Sequence, residues 1–469
     1  MKSHKQLLEE FLSFEDKYNL FDLEIDSVPI WELIRTSVFS ELSSKLVNKT
    51  VINRNEKEKS KVKLFSNILY NIIFKNPFLT FKKKDILFLN HPRRKFNKGF
   101  YEDIYIESLL PELNNNFLVL EGFVNYNITH FKPVNTCNLF YLDIIQFSSN
   151  ILSKKIRYKL SLNNLEVINK IESNIFDLWG VKIKSLRNEI PVLIKRWKYS
   201  TKLVALLLKK IKPKLLVNVV SYSFLNQVFN FVSKQKGIPV VELQHGTVGR
   251  YHINYNYKKG KEITLKTFPN YFLSWGLNWT KNSRLPLNSK EIIATGYPYI
   301  NSFRNQKNVK KNPKQLVFIS QVREDIAFFV ERVAQILPDF KIVFKAHPAE
   351  YSIAKEKYSS ILRSENIQLI VDDEKKIYQI FSESYAVFGV NSTALVEALA
   401  FCPKVGVVKL PGWEYFEDIE ESINFTFVNS PEKLKLFITK PANDISKVSN
   451  YFLNNAKSNI IEFIKTKTD

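Results

Sequence analysis

Short runs of β-branched and apolar residues alternate with segments of helical spacing, in two series. In the first, Asp85–Asn90, DILFLN, reads as a strand, and Phe117–Leu120 and Leu139–Leu142 follow it. Leu215–Val220 and Ile238–Leu243 read as strands on either side of a helix at Phe224–Gln235, with Tyr271–Trp275 and Ile292–Thr295 as shorter ones. Asn301–Lys314, NSFRNQKNVKKNPK, is polar and basic and reads as a linker. Beyond it the alternation restarts. Gln315–Ser320, Lys341–Lys345, Gln368–Val371, Tyr385–Phe388 and Lys404–Leu410 read as strands, with helices at Ile326–Leu337, Ala354–Leu362, Ile377–Phe381 and Thr393–Phe401 between them. Glu432–Phe437 and Val448–Ile464 close the chain as helices, and Ile151–Lys212 is helical in pattern. Strands that are apolar throughout need cover on both faces, so an α/β fold with parallel sheets is expected. The division is a helical extension over 1–84, an α/β half over 85–300 and a second over 301–469, with a cleft between the halves.

Composition narrows the chemistry. Hydrophobic residues are 45% and charged residues 25% of 469, enough for sizeable cores. Two cysteines, Cys137 and Cys402, exclude a disulfide framework or a multi-cysteine metal site, and both read as buried thiols in a reducing compartment. Met1–Glu10 is polar, so no signal peptide is expected, and no run approaches the ~18 apolar residues of a membrane span. A cytoplasmic protein is the expectation, peripheral on the inner membrane face at most. With 69 Lys plus Arg against 46 Asp plus Glu, the formal charge is +23. Nucleic acid, anionic lipid and a phosphorylated substrate all fit that sign, and so does compositional bias, since lysines are spread along the whole chain. No zinc-finger spacing or RNP-type motif occurs, so no nucleic-acid partner is expected. Lys61–Lys84, with Leu, Ile and Phe between basic ends, reads either as a helix resting on an anionic membrane surface or as a core-packing helix.

In open α/β sheets ligands sit at the carboxyl ends of strands, so the residues there are the candidates. Of six histidines, His91, His245 and His347 directly follow predicted strands. Val240–Tyr257, VVELQHGTVGRYHINYNY, runs from a strand into His245 and Gly246. Gly246 allows a sharp turn, His245 can exchange a proton near neutral pH, and Arg250 and His252 add polar groups. In Val343–Glu350, VFKAHPAE, Lys345 and His347 alternate at a strand end and Pro348 fixes the turn, a pairing suited to a phosphate. Val387–Glu397, VFGVNSTALVE, is a strand–turn–helix in which Asn391, Ser392 and Thr393 start the helix. They can hold a phosphate or simply cap the helix. Glu397 is placed to accept from a ribose diol. No Walker loop, no Gly-x-Gly-x-x-Gly and no His-Glu-x-x-His is present, and Asp372-Asp373-Glu374 is the one acidic cluster of note. No metal and no resident cofactor are expected.

Together, the His-Gly motif, Lys-x-His-Pro and Gly-x-x-Ser-Thr-x-x-x-Glu resemble GT-B glycosyltransferases of bacterial capsule and surface-polysaccharide synthesis. The likeness covers roughly 85–440. It is greatest to capsule transferases using CMP-activated acidic sugars and to CDP-glycerol glycerophosphotransferases of teichoic acid synthesis. It implies two Rossmann-like domains facing each other across a cleft. It also implies a metal-independent transferase that moves a sugar or polyol phosphate from a CMP- or CDP-linked donor to a lipid-linked or polymeric glycan. On it, Lys345, His347, Pro348, Ser392 and Thr393 bind donor phosphates, Glu397 binds the ribose, and His245 with Gly246 stands at the reacting centre. Non-hydrolysing UDP-N-acetylglucosamine 2-epimerases share the two-half fold. Their paired glycines beside the serine are missing at Asn391-Ser392-Thr393, which favours a transferase. Leu120-Glu121-Gly122 only partly matches an acidic transferase motif, so Glu121 and Glu242 stay open as bases beside His245. A non-catalytic glycan- or membrane-binding module is the remaining alternative.

Overall fold

The computed structural model describes residues 2–47, 69–79, 83–91, 93–97, 99–123, 130–155, 157–304, 309–372, 374–422, 424–441 and 450–469. The expected loop at Val51–Ser60, residues 61–68 and 80–82 of Lys61–Lys84, Asp373 and the middle of the linker lie outside these residues. The chain begins with helices His4–Lys17 and Ile30–Leu46, joined through a small antiparallel hairpin of β1 (Glu24–Ile25) and β2 (Val28–Pro29). Ser3 and Gln6 form a capping box that starts the first helix.

The first sheet opens with β3 (Ile86–Leu89). After it come a hairpin of β4 (Arg94–Asn97) and β5 (Phe100–Asp103), then β6 (Phe117–Glu121), β7 (Leu139–Tyr141), β8 (Leu215–Val219), β9 (Val240–Leu243), β10 (Tyr271–Ser274) and β11 (Ile292–Ala294). Its order is β11-β10-β9-β8-β3-β6-β7, and every neighbouring pair is parallel. The second sheet takes β12 (Asn312–Ile319), β13 (Lys341–Lys345), β14 (Ile367–Ile370), β15 (Ser384–Gly389), β16 (Lys404–Val408) and β17 (Phe425–Val428). It runs β14-β13-β12-β15-β16-β17, again all parallel. β3, β6, β8 and β9 are buried along their whole length because helices cover both faces. These are the two Rossmann-like α/β halves of a GT-B arrangement.

The N-terminal helices are not an appendage. Leu7, Phe11, Trp31 and Ile34 share one core with the β3–β6 face and with helix Leu186–Ile211. Buried Arg35 pairs with Glu15 at 2.7 Å and also donates to the carbonyls of Ile253 and Asn256, at 2.8 and 2.9 Å. The extension therefore clamps the loop that follows His252. At the other end, Phe452, Ile460 and Ile464 pack into the core that contains β8 and β9, so the tail returns to the first half.

Several local expectations differ. Cys402 is buried, but Cys137 is exposed in the polar turn before β7. The linker is shorter than Asn301–Lys314, because helix Pro298–Arg304 takes its start and β12 begins at Asn312. Ala354–Leu362 is a single helical turn, Ala354–Lys357, followed by a 3-10 turn at Ile361–Arg363. The last helix is Ala456–Thr468. β17 and the β4–β5 hairpin carry no long apolar run and were not legible as strands.

Candidate active site

Strand order reverses between β3 and β8 in the first sheet and between β12 and β15 in the second. Crevices form at such reversals. The loops leaving β3, β12, β13 and β15 surround a cavity of about 530 Å³. Arg93, Lys95 and Tyr299 line one side, and Lys345, His347, Ser392 and Glu397 the other.

On the second-half wall each side chain is held by its own loop. Lys345 ends β13 buried, and its ammonium donates to the Asp372 carbonyl at 2.5 Å and to the Tyr351 hydroxyl. Pro348, which also lines the cavity, opens the turn Pro348–Glu350, and His347 caps that turn. His347 Nδ1 accepts from the Ala349 amide at 3.1 Å, so in the neutral ring the proton sits on Nε2, a donor suited to a phosphate oxygen. Ser392 caps helix Thr393–Ala398, its Oγ accepting from the Ala394 amide at 3.3 Å. Glu397, one turn further, is buried. Its Oε2 accepts from the Tyr378 hydroxyl at 2.8 Å, and among the described residues nothing hydrogen-bonds Oε1. A buried carboxylate oxygen without a partner is costly, and a hydroxyl donor arriving in the cavity would remove that cost.

The first-half wall is less like the expectation. His245, Gly246, Arg250 and His252 are not among the residues lining this cavity. Arg93 connects the two places, since its Nη1 lies 3.3 Å from the His245 carbonyl oxygen. Tyr105 donates to the same carbonyl at 3.0 Å. The His245 ring sits between two tyrosine hydroxyls, with Tyr255 3.2 Å from Nδ1 and Tyr222 3.2 Å from Nε2. Burial, reinforced by His91, His252 and Arg93, holds its pKa well below the usual 6.5. His245 is therefore neutral at physiological pH rather than poised at its midpoint.

Gly246 lies against the second half: a Cβ there would be 3.7 Å from Thr393 Oγ1. Thr393 thus meets the His-Gly loop instead of the cavity. Asn391 also lies off the cavity, its amide donating to Gln321 Oε1 at 3.0 Å and its side chain beside Gly412. Arg250 is exposed and stands 3.8 Å from Asp418 across the junction of the halves. His252 packs against the rings of Tyr222 and Tyr255, and burial and then His4 bring its pKa to about 4.

Glu121, open as a base on sequence, belongs to a buried ion-pair network. It accepts from Arg94, which also pairs with Asp103 at 2.8 Å, and lies 3.1 Å from His130 Nδ1. His130 Nε2 lies 2.8 Å from Asp143. Among the described residues no group of three or more His, Cys, Asp or Glu is placed to hold a metal ion. Arg93 could have been found from its place just after the strand Asp85–Asn90. Tyr222 and Tyr378 carry no motif that would single them out, and Tyr255, inside Val240–Tyr257, is one of several tyrosines there.

The chain matches no protein-family model, and no curated protein matches it. Among solved structures, it is similar to the UDP-GlcNAc 2-epimerase from Neisseria meningitidis bound to UDP-GlcNAc, at 13% identity and a TM-score of 0.44, covering 81% of this chain and 99% of that one. The UDP-GlcNAc 2-epimerase of Methanocaldococcus jannaschii, in complex with UDP-GlcNAc and UDP, is 15% identical with a TM-score of 0.47, over 82% and 99%. Acinetobacter baumannii MurG is 11% identical with a TM-score of 0.44, over 82% and 100%. Likeness at that depth says nothing about substrate or reaction.

Proposed function

We propose that the protein is a metal-independent glycosyltransferase. It moves a sugar, or a polyol phosphate, from a CMP- or CDP-linked donor to a growing surface glycan carried on lipid or polymer. The observation that carries this reading is the second-half wall. A buried lysine, a histidine with a donating Nε2 and a buried carboxylate with an unpartnered oxygen share one cavity at the strand-order reversal. Lys345 and His347 hold the donor phosphates, Ser392 adds a hydroxyl, and Glu397 takes the ribose. The acceptor enters beside Arg93 and Lys95. A base removes the proton from the acceptor hydroxyl. That oxygen attacks the anomeric carbon, or the phosphorus of a polyol phosphate donor. The bond to the nucleotide breaks, and the charge left on its phosphate is stabilised by the cations of both walls. His245 serves as base on the acceptor side, reaching it through movement of Tyr222 or of the loop.

The experiment is a binding screen with CMP, CDP, UDP, GDP and dTDP, followed by transfer assays with activated donors in the presence of chelator. Binding of a cytidine nucleotide and chelator-insensitive transfer are expected. Conversion of UDP-N-acetylglucosamine to its 2-epimer without acceptor would replace the proposal by an epimerase. Glycan binding without nucleotide release from any donor would replace it by a binding module.

A further inference from the structure

A hydrogen-bond chain leads from Glu242 through Tyr255 to His245 and dictates where the ring's proton sits. At one end is Glu242, fully buried in β9. Its Oε1 accepts from the Ser221 amide at 3.2 Å, which marks that oxygen as an acceptor whether or not Oε2 carries a proton. Tyr255, whose hydroxyl lies 2.7 Å from the same oxygen, must then donate to it. The Tyr255 oxygen is left to accept, and its neighbour at 3.2 Å is His245 Nδ1. At the other end the Tyr222 hydroxyl lies 3.2 Å from His245 Nε2. With the proton on Nδ1, Nε2 of the neutral ring is the acceptor, and Tyr222 donates to it.

From this chain we infer that Glu242–Tyr255 locks His245 as the Nδ1–H tautomer, with Nε2 as its proton-accepting nitrogen. Glu242 and Tyr255 are positioning residues. Tyr222 occupies the place that an acceptor hydroxyl takes when His245 acts. A buried carboxylate here costs stability that a leucine would not, and its role in holding one tautomer accounts for its presence. The functional meaning rests on His245 being the base of the proposed transferase; the tautomer itself does not.

The test is nitrogen-15 NMR of imidazole-labelled protein, with the His245 signals assigned by their loss in His245→Gln. The wild-type protein should show a protonated Nδ1 and an unprotonated Nε2. An Nε2–H ring would overturn the inference. Tyr255→Phe removes the acceptor at Nδ1, so the tautomers should mix. The transfer rate should then fall roughly 10–100-fold, the scale for losing a partner that orients a histidine. Glu242→Gln, whose amide oxygen still accepts from Ser221 and Tyr255, should keep the Nδ1–H signal where Glu242→Leu loses it. Equal spectra in those two variants would also overturn the inference. The spectra need no donor, so a failure to find any transfer would count against the proposed function and not against the tautomer.

Discussion

On the proposed function, donor binding turns on Glu397 and His347. Glu397→Gln keeps the size and the bond to Tyr378 but loses the charge, and should weaken nucleotide binding by roughly 1–3 kcal/mol, the range for a hydrogen bond to a charged group. His347→Ala should cost a similar amount, and titration calorimetry reads both. His245→Ala should instead cut the transfer rate by roughly 10²–10⁴ and leave nucleotide affinity nearly unchanged, because its ring lies off the donor cavity. An equal loss of affinity and rate would move His245 to donor binding. The histidines also give a pH signature. Burial, then Arg93 and Arg94, brings His91 to about 4, and burial brings His252 to about 4, against an ordinary 6.5. Unfolded, these rings take up protons below about 6.5; folded, they do so only near 4. Their contribution to stability is therefore full above 6.5 and is lost as pH falls towards 4, on the order of 2–3 kcal/mol each. His130 runs the other way. Burial lowers it, but hydrogen bonds to Asp143 and Glu121 outweigh that and raise it, so its contribution is present below 6.5 and lost as pH rises through its folded value. Proton NMR of the imidazoles should show His91 and His252 neutral at pH 5.5 ± ~0.5 and His130 charged. At this scale the second-half wall was legible in sequence, since Lys345, His347 and Ser392 stand where parallel strands end. The partners of His245 were not. Tyr222 and Tyr255 lie on loops whose approach to it is set by packing, not by spacing.

Among the elements, helical residues 69–74 pose the sharpest question. Asn71 is tied to Asp143 at 2.9 Å, and the Lys75 carbonyl accepts from the Tyr141 amide at 2.8 Å, so the segment is anchored beside β7. Yet Tyr70 is 58% and Phe74 65% exposed, and Leu69 and Ile73 are also exposed. The described part is thus not buried as a core-packing helix would be, and whether it meets a membrane is tested with vesicles. The protein should bind anionic vesicles, and binding should fall steeply with added salt, since screening shortens to about 8 Å at physiological ionic strength. Tyr70→Ser with Phe74→Ser should weaken it further, while no binding, or salt-insensitive binding, would remove the membrane from the account. Strands were the most legible elements, because full burial in a parallel sheet demands continuous apolar runs such as those of β8 and β9. Hairpin β4–β5 escaped because its register follows from Arg94 pairing with Asp103 inside a polar network, which leaves no apolar alternation to read.

The whole molecule is two halves closed by its own tail. A Cβ at Gly276 would run into the backbone of Asn450 and Tyr451, and one at Gly296 into Leu453, which marks how closely the returning tail lies on the first half. Gly276→Ala should lower the melting temperature by several degrees, on the scale of about 1–3 kcal/mol for overpacking, as scanning calorimetry would show. An unchanged melting temperature would mean that the tail is readily displaced. The two-half architecture followed from the alternation repeated on either side of the linker. The return of the tail had no such signal, since an amphipathic helix does not say which sheet it covers. At this scale the central claim is that the cavity between the sheets takes a nucleotide-activated donor and gives up its sugar or polyol phosphate to an acceptor. The most direct measurement is nucleotide release from CMP- and CDP-linked donors, with and without a surface-glycan acceptor. The account predicts release that needs the acceptor, persists in chelator and is reduced at subsaturating donor in Glu397→Gln; release from no donor, or turnover of a UDP-sugar with no acceptor present, would contradict it.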